Sequence, residues 1–288
     1  MLKYTAKRLV YSVFILFFVM FIIYVLMYNM PSGFVETKAR ELASRPGATK
    51  SYAEWLEDLN AQYGMDKGVV RGYLVWLGNA VRGNWGDSWA WTVPVTVEFH
   101  NTVWYSFALG LVSFILEILI AIPLGITAAR KQYSFTDYFT TVVAMVCISM
   151  PTFFVATVLK YVFSVKLGWF DLSGMQGRNY MALSDFGKFL DVAKHFVLPL
   201  ITLVIISIGG LMRYTRTNML EVLSADYIRT ARAKGVPERT VINRHAFRNT
   251  LIPLVSYMSY LVPSLFSGSM ITETLYQIPG IGYISYDA

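Results

Sequence analysis

An all-α bundle of membrane-spanning helices is the fold this sequence predicts, and three observations carry that expectation. Only 15% of the 288 residues are charged, while 55% are hydrophobic and 16% aromatic; a soluble globular chain carries about 25% charged residues. Mean hydropathy is +0.47. The apolar residues gather in five long runs and show no two-residue alternation of the β-barrel kind. A disordered chain, a collagen and a coiled coil are excluded. The sequence pI of 9.3 reflects 25 basic against 18 acidic residues, and their placement matters more than their sum. No nucleic acid is expected as a partner. With Cys147 alone, neither an intrachain disulfide nor a multi-cysteine metal site can form.

The first run, Leu9–Met30, is 22 residues without a charge. As a helix it is about 33 Å long, enough to cross a hydrocarbon core of about 30 Å. Lys3, Lys7 and Arg8 precede it as in a secretory signal. The run exceeds a signal core, however, and no small-x-small cleavage site follows, so a retained helix is expected. The other spans are 102–129, interrupted by Glu117; 138–163, interrupted by Lys160; 196–212; and 251–272. Lipid cannot satisfy backbone N–H and C=O groups, so each span must be helical.

Lysine and arginine in the loops set the orientation. The segment 213–250 carries eight basic residues against Glu221, Asp226 and Glu238. The loop 31–100 carries seven basic and eight acidic residues, and 164–195 four and three. A cytoplasmic N-terminus follows. Five spans then leave the C-terminus outside, and a sixth span is expected beyond residue 288.

Two domains are expected: 1–100, the first span with a long extracytoplasmic helical loop, and 101–288, the helical core with the inner loop 213–250. In the outer loop, Ser51 followed by Glu54 forms a capping-box pattern for a helix ending at Gly64, and 69–81 is a second helix. Trp76, Trp85, Trp89 and Trp91 crowd this loop, with Trp104 at the membrane boundary. Two readings stand: an interfacial aromatic belt, or a lid or docking surface over a pore.

The inner loop is the most informative stretch. Ser224 can cap a helix with Asp226 in its first turn. Tyr227, Ile228 and Ala231 share one face, Lys234 falls in the last turn, and Gly235 is placed to end the helix. Pro237 suits the first position of a second short helix, along which Val241, Ile242, His245 and Ala246 keep the 3–4 spacing. The basic residues can hold anionic lipid and fix topology, and the apolar faces can pack on their own spans. The functional reading is a rigid elbow that enters a cleft of a soluble partner and transmits its movement.

The segment Asp226-Tyr-Ile-Arg-Thr-Ala-Arg-Ala-Lys-Gly235 resembles the coupling-loop signature of permease subunits of binding-protein-dependent ABC importers, in the dipeptide, oligopeptide and nickel branch. Weaker matches follow in order: Tyr63-Gly-Met-Asp-Lys67, Ile122-Pro-Leu-Gly-Ile126, Ser149-Met-Pro-Thr-Phe-Phe154, Arg213–Glu221, Thr272-Glu-Thr-Leu-Tyr276 and Pro279-Gly-Ile-Gly282. Arg229, Thr230 and Ala231 stand where the wider superfamily has Glu-Ala-Ala, and Pro31-Ser-Gly-Phe34 where the family has Pro-Gly-Asp-Pro.

The resemblance implies the type I importer permease fold, with the coupling residues Asp226, Tyr227, Ile228, Arg229, Thr230, Ala231, Arg232, Ala233, Lys234 and Gly235. It implies a second homologous permease, two ATP-binding subunits, an extracytoplasmic substrate-binding protein and surrounding lipid, in a bacterial or archaeal cytoplasmic membrane. The chain has no G-x-x-x-x-G-K-[ST] loop, so no cofactor is expected in it; ATP and magnesium belong to the partner subunits. Peptides are the expected cargo, with nickel chelates or oligosaccharides as alternatives within the branch. A secondary transporter or a membrane enzyme are the other classes, but the chain lacks H-E-x-x-H and G-x-S-x-G.

Glu117 lies mid-span, where a charge costs roughly 2.5–3.5 kcal/mol on insertion scales. It is either a pathway residue or a structural hydrogen-bonding partner. Ser149, Pro151 and Thr152 are the other pathway candidates, since prolines that break spans line cavities in transporters. Lys160 is expected to snorkel. His100, His195 and His245 form no metal-ligand pattern.

Overall fold

The computed structural model describes residues 2–29, 34–88 and 93–287, and no strand occurs among them. Trp89 and Trp91 lie outside the described residues. The chain divides into two compact units, 1–98 and 99–288.

The first unit holds α1 (Leu2–Tyr28), α2 (Phe34–Ser44), α3 (Tyr52–Tyr63) and α4 (Val69–Val81). The capping box forms as the spacing requires: the Ser51 N–H donates to Glu54 Oε2 at 2.7 Å, and the Glu54 N–H returns to Ser51 Oγ at 3.4 Å. The Ser51 donors hold the Glu54 carboxyl below the usual carboxylate range. Gly64 ends α3 with φ 69°, and a Cβ on Gly72 would stand 2.2 Å from the Gly64 carbonyl. Only two glycines permit that approach. α1 is tied to α4 by aromatic side chains. The Tyr73 hydroxyl donates to the Phe17 carbonyl at 2.7 Å, and its ring meets Phe17, Phe21 and Tyr24 within 5.8 Å. Trp76 stacks on Tyr73 and meets Trp85 edge-on, so Trp76 is part of this cluster.

The second unit is organised around two long helices, α5 (Val95–Arg130, starting just before the unit boundary) and α8 (Asp185–Leu223). The apolar run 196–212 is only the middle of α8, which has 39 residues. Hydropathy marks the lipid-facing stretch, but Ser184 starts the helix by accepting the Gly187 N–H at 3.2 Å. The helix then runs through Asp185, Lys188 and Asp191 before the apolar stretch, and through Arg213, Arg216 and Glu221 after it.

The run 138–163 is not one straight span. α6 (Phe135–Ser149) and α7 (Thr152–Leu159, extended by a π-turn over Lys160–Lys166) meet at 100°. The ring of Pro151 excludes the α region for Met150 and supplies no N–H; Met150 and Pro151 are extended, with ψ of 126° and 139°. An apolar hollow lined by Val142, Met145, Val146, Met150, Phe153 and Phe154 opens at this corner.

The run 251–272 is broken as well. A short turn α10 (Glu238–Thr240) leads through a π-turn into α11 (Phe247–Leu261), and a 3-10 turn at Val262–Phe266 follows. Gly268, with φ 71°, then sets α12 (Met270–Tyr276) at 45° to what precedes it. A last helix, α13, covers Ile281–Asp287. Among the described residues, three helices are long and apolar enough to cross a membrane, and up to five segments qualify if each bent pair crosses as one.

Lys160 does not snorkel. Its ammonium donates to the Leu275 carbonyl at 2.5 Å and lies 5.5 Å from the Tyr276 ring centre, because the π-turn aims it at the end of α12.

α6 and α8 press together at Gly209, where a Cβ would stand 2.4 Å from the Ala144 carbonyl. Replacing Gly209 with valine is expected to force the helices apart and cost about 3 kcal/mol, read as a lower Tm of the detergent-solubilised protein.

Candidate functional site

The loop after α8 folds into a single short helix, α9 (Asp226–Ala233). Ser224 does not cap it: its hydroxyl donates to the Glu221 carbonyl at 2.7 Å and closes the end of α8. Ala225, in an extended conformation, precedes α9 without a side-chain cap. At the other end Gly235 adopts φ 73°, and the Val236 N–H reaches the Ala231 carbonyl at 3.2 Å, the six-to-one bond of a glycine-terminated helix.

Arg232 clasps Glu238 across this turn with two bonds of 3.1 and 2.8 Å. The guanidinium holds the Glu238 carboxyl below its usual range. Pro237 caps α10 and does not begin a second separate helix. With no breaker after it until Pro253, which α11 accommodates, the backbone continues from α10 through the π-turn into α11. The elbow is therefore one short helix set against the root of a long one.

Ile228 is 0% exposed and packs with Ala231, Ala129, Met219, Val241 and Ile242. Tyr227, Arg229, Thr230, Arg232, Ala233 and Lys234 face outward. One side of α9 is thus fixed to the ends of α5, α8 and α11 while the other stays free.

The second feature is a cleft of about 500 Å³ between α5, α8 and the segment after α11. α5 lines it with Ser106, Gly110, Ser113 and Glu117, one face of a helix at 3–4 spacing. α8 supplies Leu203, Ser207, Gly210 and Arg213, and Tyr257 and Ser264 complete the wall. The two helices run in the same direction: Ser207 stands beside Glu117, and two turns further on Gly125 abuts Met212 and Thr215.

Glu117 is in the cleft wall; Ser149, Pro151 and Thr152 are not. The Ser149 hydroxyl donates to the Met145 carbonyl at 2.8 Å, and Ser149 and Pro151 border the apolar hollow at the α6–α7 corner. Of that stretch, Ile148 alone reaches the cleft.

Sequence reasoning missed two buried carboxylates. Asp137 accepts two bonds from Arg216, at 2.6 and 2.8 Å, and one from the Tyr133 N–H at 3.0 Å. Glu273, 0% exposed, accepts from the Ser106 hydroxyl, the Ser269 N–H and the Tyr283 N–H at 2.9, 2.9 and 3.1 Å. The Ile281 N–H donates to Ser106 Oγ at 2.8 Å. Gly268 and Gly280 stand against this carboxylate, where a Cβ would come within 2.9 and 2.4 Å of its oxygens. The glycines flanking Glu273 were the available signal; the Asp137–Arg216 pair, 79 residues apart, has none. His195 is likewise engaged, 3.3 Å from Asp171 and 2.7 Å from the Asp191 carbonyl.

A core of membrane-length helices enclosing a polar cleft is the architecture of a multi-pass membrane protein. Residues 121–288 match the family described as binding-protein-dependent transport system inner membrane component. The chain is 37% identical to the oligopeptide transport system permease protein AppB of Bacillus subtilis, covering 81% of this chain and 72% of that one. It is 35% identical to the di/tripeptide transport system permease protein DppB of Pseudomonas aeruginosa, over 100% and 88%. With the oligopeptide permease protein OppB of Salmonella typhimurium the identity is 34%, over 80% and 72%. The chain belongs to the binding-protein-dependent transport system inner membrane component family.

Proposed function

We propose that this chain is the permease subunit of an ATP-driven peptide importer, forming half of a translocation pore. In this reading it is not itself an enzyme: ATP and magnesium are held by two partner subunits, and a second permease closes the pore. An extracytoplasmic binding protein delivers the cargo, and the N-terminus lies in the cytoplasm of a bacterium or archaeon. One observation carries it: α8 both lines the cleft, from Leu203 to Arg213, and ends at Leu223 beside the elbow 226–235. Motion of α9 therefore passes to the cleft wall along a single helix. The outward residues of Asp226–Gly235 meet the ATPase, and Glu117 belongs to the pathway. Ser149, Pro151 and Thr152 join it where the second permease closes on their corner.

The reading is tested by reconstituting the chain with its partners in proteoliposomes and following peptide uptake with ATP hydrolysis. Peptide-stimulated hydrolysis is expected; stimulation by a nickel chelate alone redirects the substrate, and uptake without ATP removes the mechanism.

Gly235 gives the sharper test of the elbow. No atom lies within 4 Å of a Cβ placed there, so substitution strains only the left-handed backbone, by about 1–2 kcal/mol. Gly235→Val is expected to insert normally and to slow uptake severely, and Gly235→Asn to be milder because asparagine tolerates φ > 0. Wild-type uptake by Gly235→Val would remove the rigid elbow from the mechanism.

A further inference from the structure

The second unit buries three acidic side chains, Glu117, Asp137 and Glu273. Asp137 is matched by Arg216 and the Tyr133 N–H. Glu273 is matched by a hydroxyl and two backbone N–H groups. Glu117 differs. It is 6% exposed, has the Ser207 hydroxyl beside it, and makes no ion pair with any described residue. A buried carboxylate with so few donors is costly to keep, and a cleft that holds one has an incomplete electrostatic complement.

Arg213 borders the same cleft, also without an ion pair to any described residue. It lies six residues beyond Ser207 on α8, which places it about 9 Å along the helix from the level of Glu117. The wall between them carries small or apolar groups, among them Gly210 and Tyr257. An extended peptide covers about 3.3–3.6 Å per residue, so a di- or tripeptide is long enough to run from the level of Glu117 to that of the Arg213 backbone.

We infer that the cleft is a subsite for the zwitterionic backbone of short peptides, with the Glu117 carboxylate receiving the terminal ammonium and the Arg213 guanidinium the terminal carboxylate. Side chains between the termini meet small or apolar wall groups, so length and free ends are read here while side-chain identity is not. This inference rests on the peptide reading given above and adds to it the groups the membrane subunit recognises.

The test uses the complete complex in proteoliposomes, with trialanine and N-acetyl-trialanine each supplied at concentrations that saturate the binding protein. Wild-type complex is expected to favour the free peptide. Glu117→Gln is expected to slow trialanine by about tenfold or more, bringing the free-to-acetylated ratio close to one, while Glu117→Asp retains most of the preference. Arg213→Gln is expected to erase discrimination against C-terminally amidated trialanine in the same way.

An unchanged ratio in Glu117→Gln, or equal loss of both peptides with no recovery in Glu117→Asp, overturns the subsite and leaves the peptide importer standing. A wild-type complex that moves no peptide overturns both.

Discussion

Replacing Asp137 with alanine is expected to lower the stability of the solubilised protein by about 3–5 kcal/mol, since it leaves a partly buried guanidinium without its counter-charge. Asp137 has only 3% of its side chain exposed and Arg216 23%, and the fork-to-fork geometry directs both bonds. The pair joins the start of α6 to α8 one turn past the cleft. The double variant Asp137→Ala/Arg216→Met is expected to recover much of the loss, because a buried pair is often replaceable by apolar groups although neither half is removable alone. Thermal unfolding of the four proteins supplies the double-mutant cycle. A single variant as stable as wild type would show that the pair contributes nothing.

Replacing Glu273 with alanine is expected to cost at least about 3 kcal/mol, because the Ser106 hydroxyl and the N–H groups of Ser269 and Tyr283 lose their acceptor together. Glu273→Gln keeps the shape but turns a donor toward these donors, so it is expected to recover only part of the loss. Amide hydrogen exchange reads the effect locally: Ser269 and Tyr283 are expected to exchange at least about tenfold faster in Glu273→Ala, since a lost hydrogen bond of this strength is worth that factor. Protection equal to wild type would mean that the segment is held by packing alone.

Much of this protein is written in local patterns. The Ser51–Glu54 box, the Gly64 stop and the helix over 69–81 follow from chemistry within a few residues, and hydropathy marks every long helix. Hydropathy does not mark where a helix ends. It shortens α8, whose polar ends are helical because Ser184 caps it and the helix accommodates Pro199 and runs on to Leu223. It also merges α6 with α7 across Met150–Pro151.

In the elbow, Gly235 was legible because a left-handed residue is a local requirement. The second short helix was misread because the 3–4 spacing of Val241, Ile242 and Ala246 is equally that of a helix continuing into α11. In the cleft, the mid-span Glu117 was visible as a charge out of place. Its relation to Ser207 and Arg213 depends on how α5 and α8 lie together, which no pattern within one span encodes.

The corner at Met150–Pro151 has a consequence for the lipid. Each arm, α6 and α7 with its π-turn, is 15 residues long, or about 22 Å if helical throughout. Two arms turned through 100° reach at most about 29 Å along a common line, against about 45 Å for a straight helix of the same length, so this segment only just matches a hydrocarbon core about 30 Å thick. Any tilt away from that line leaves the segment short, so this flank of the protein feels membrane thickness more than the flanks built on the longer α5 and α8.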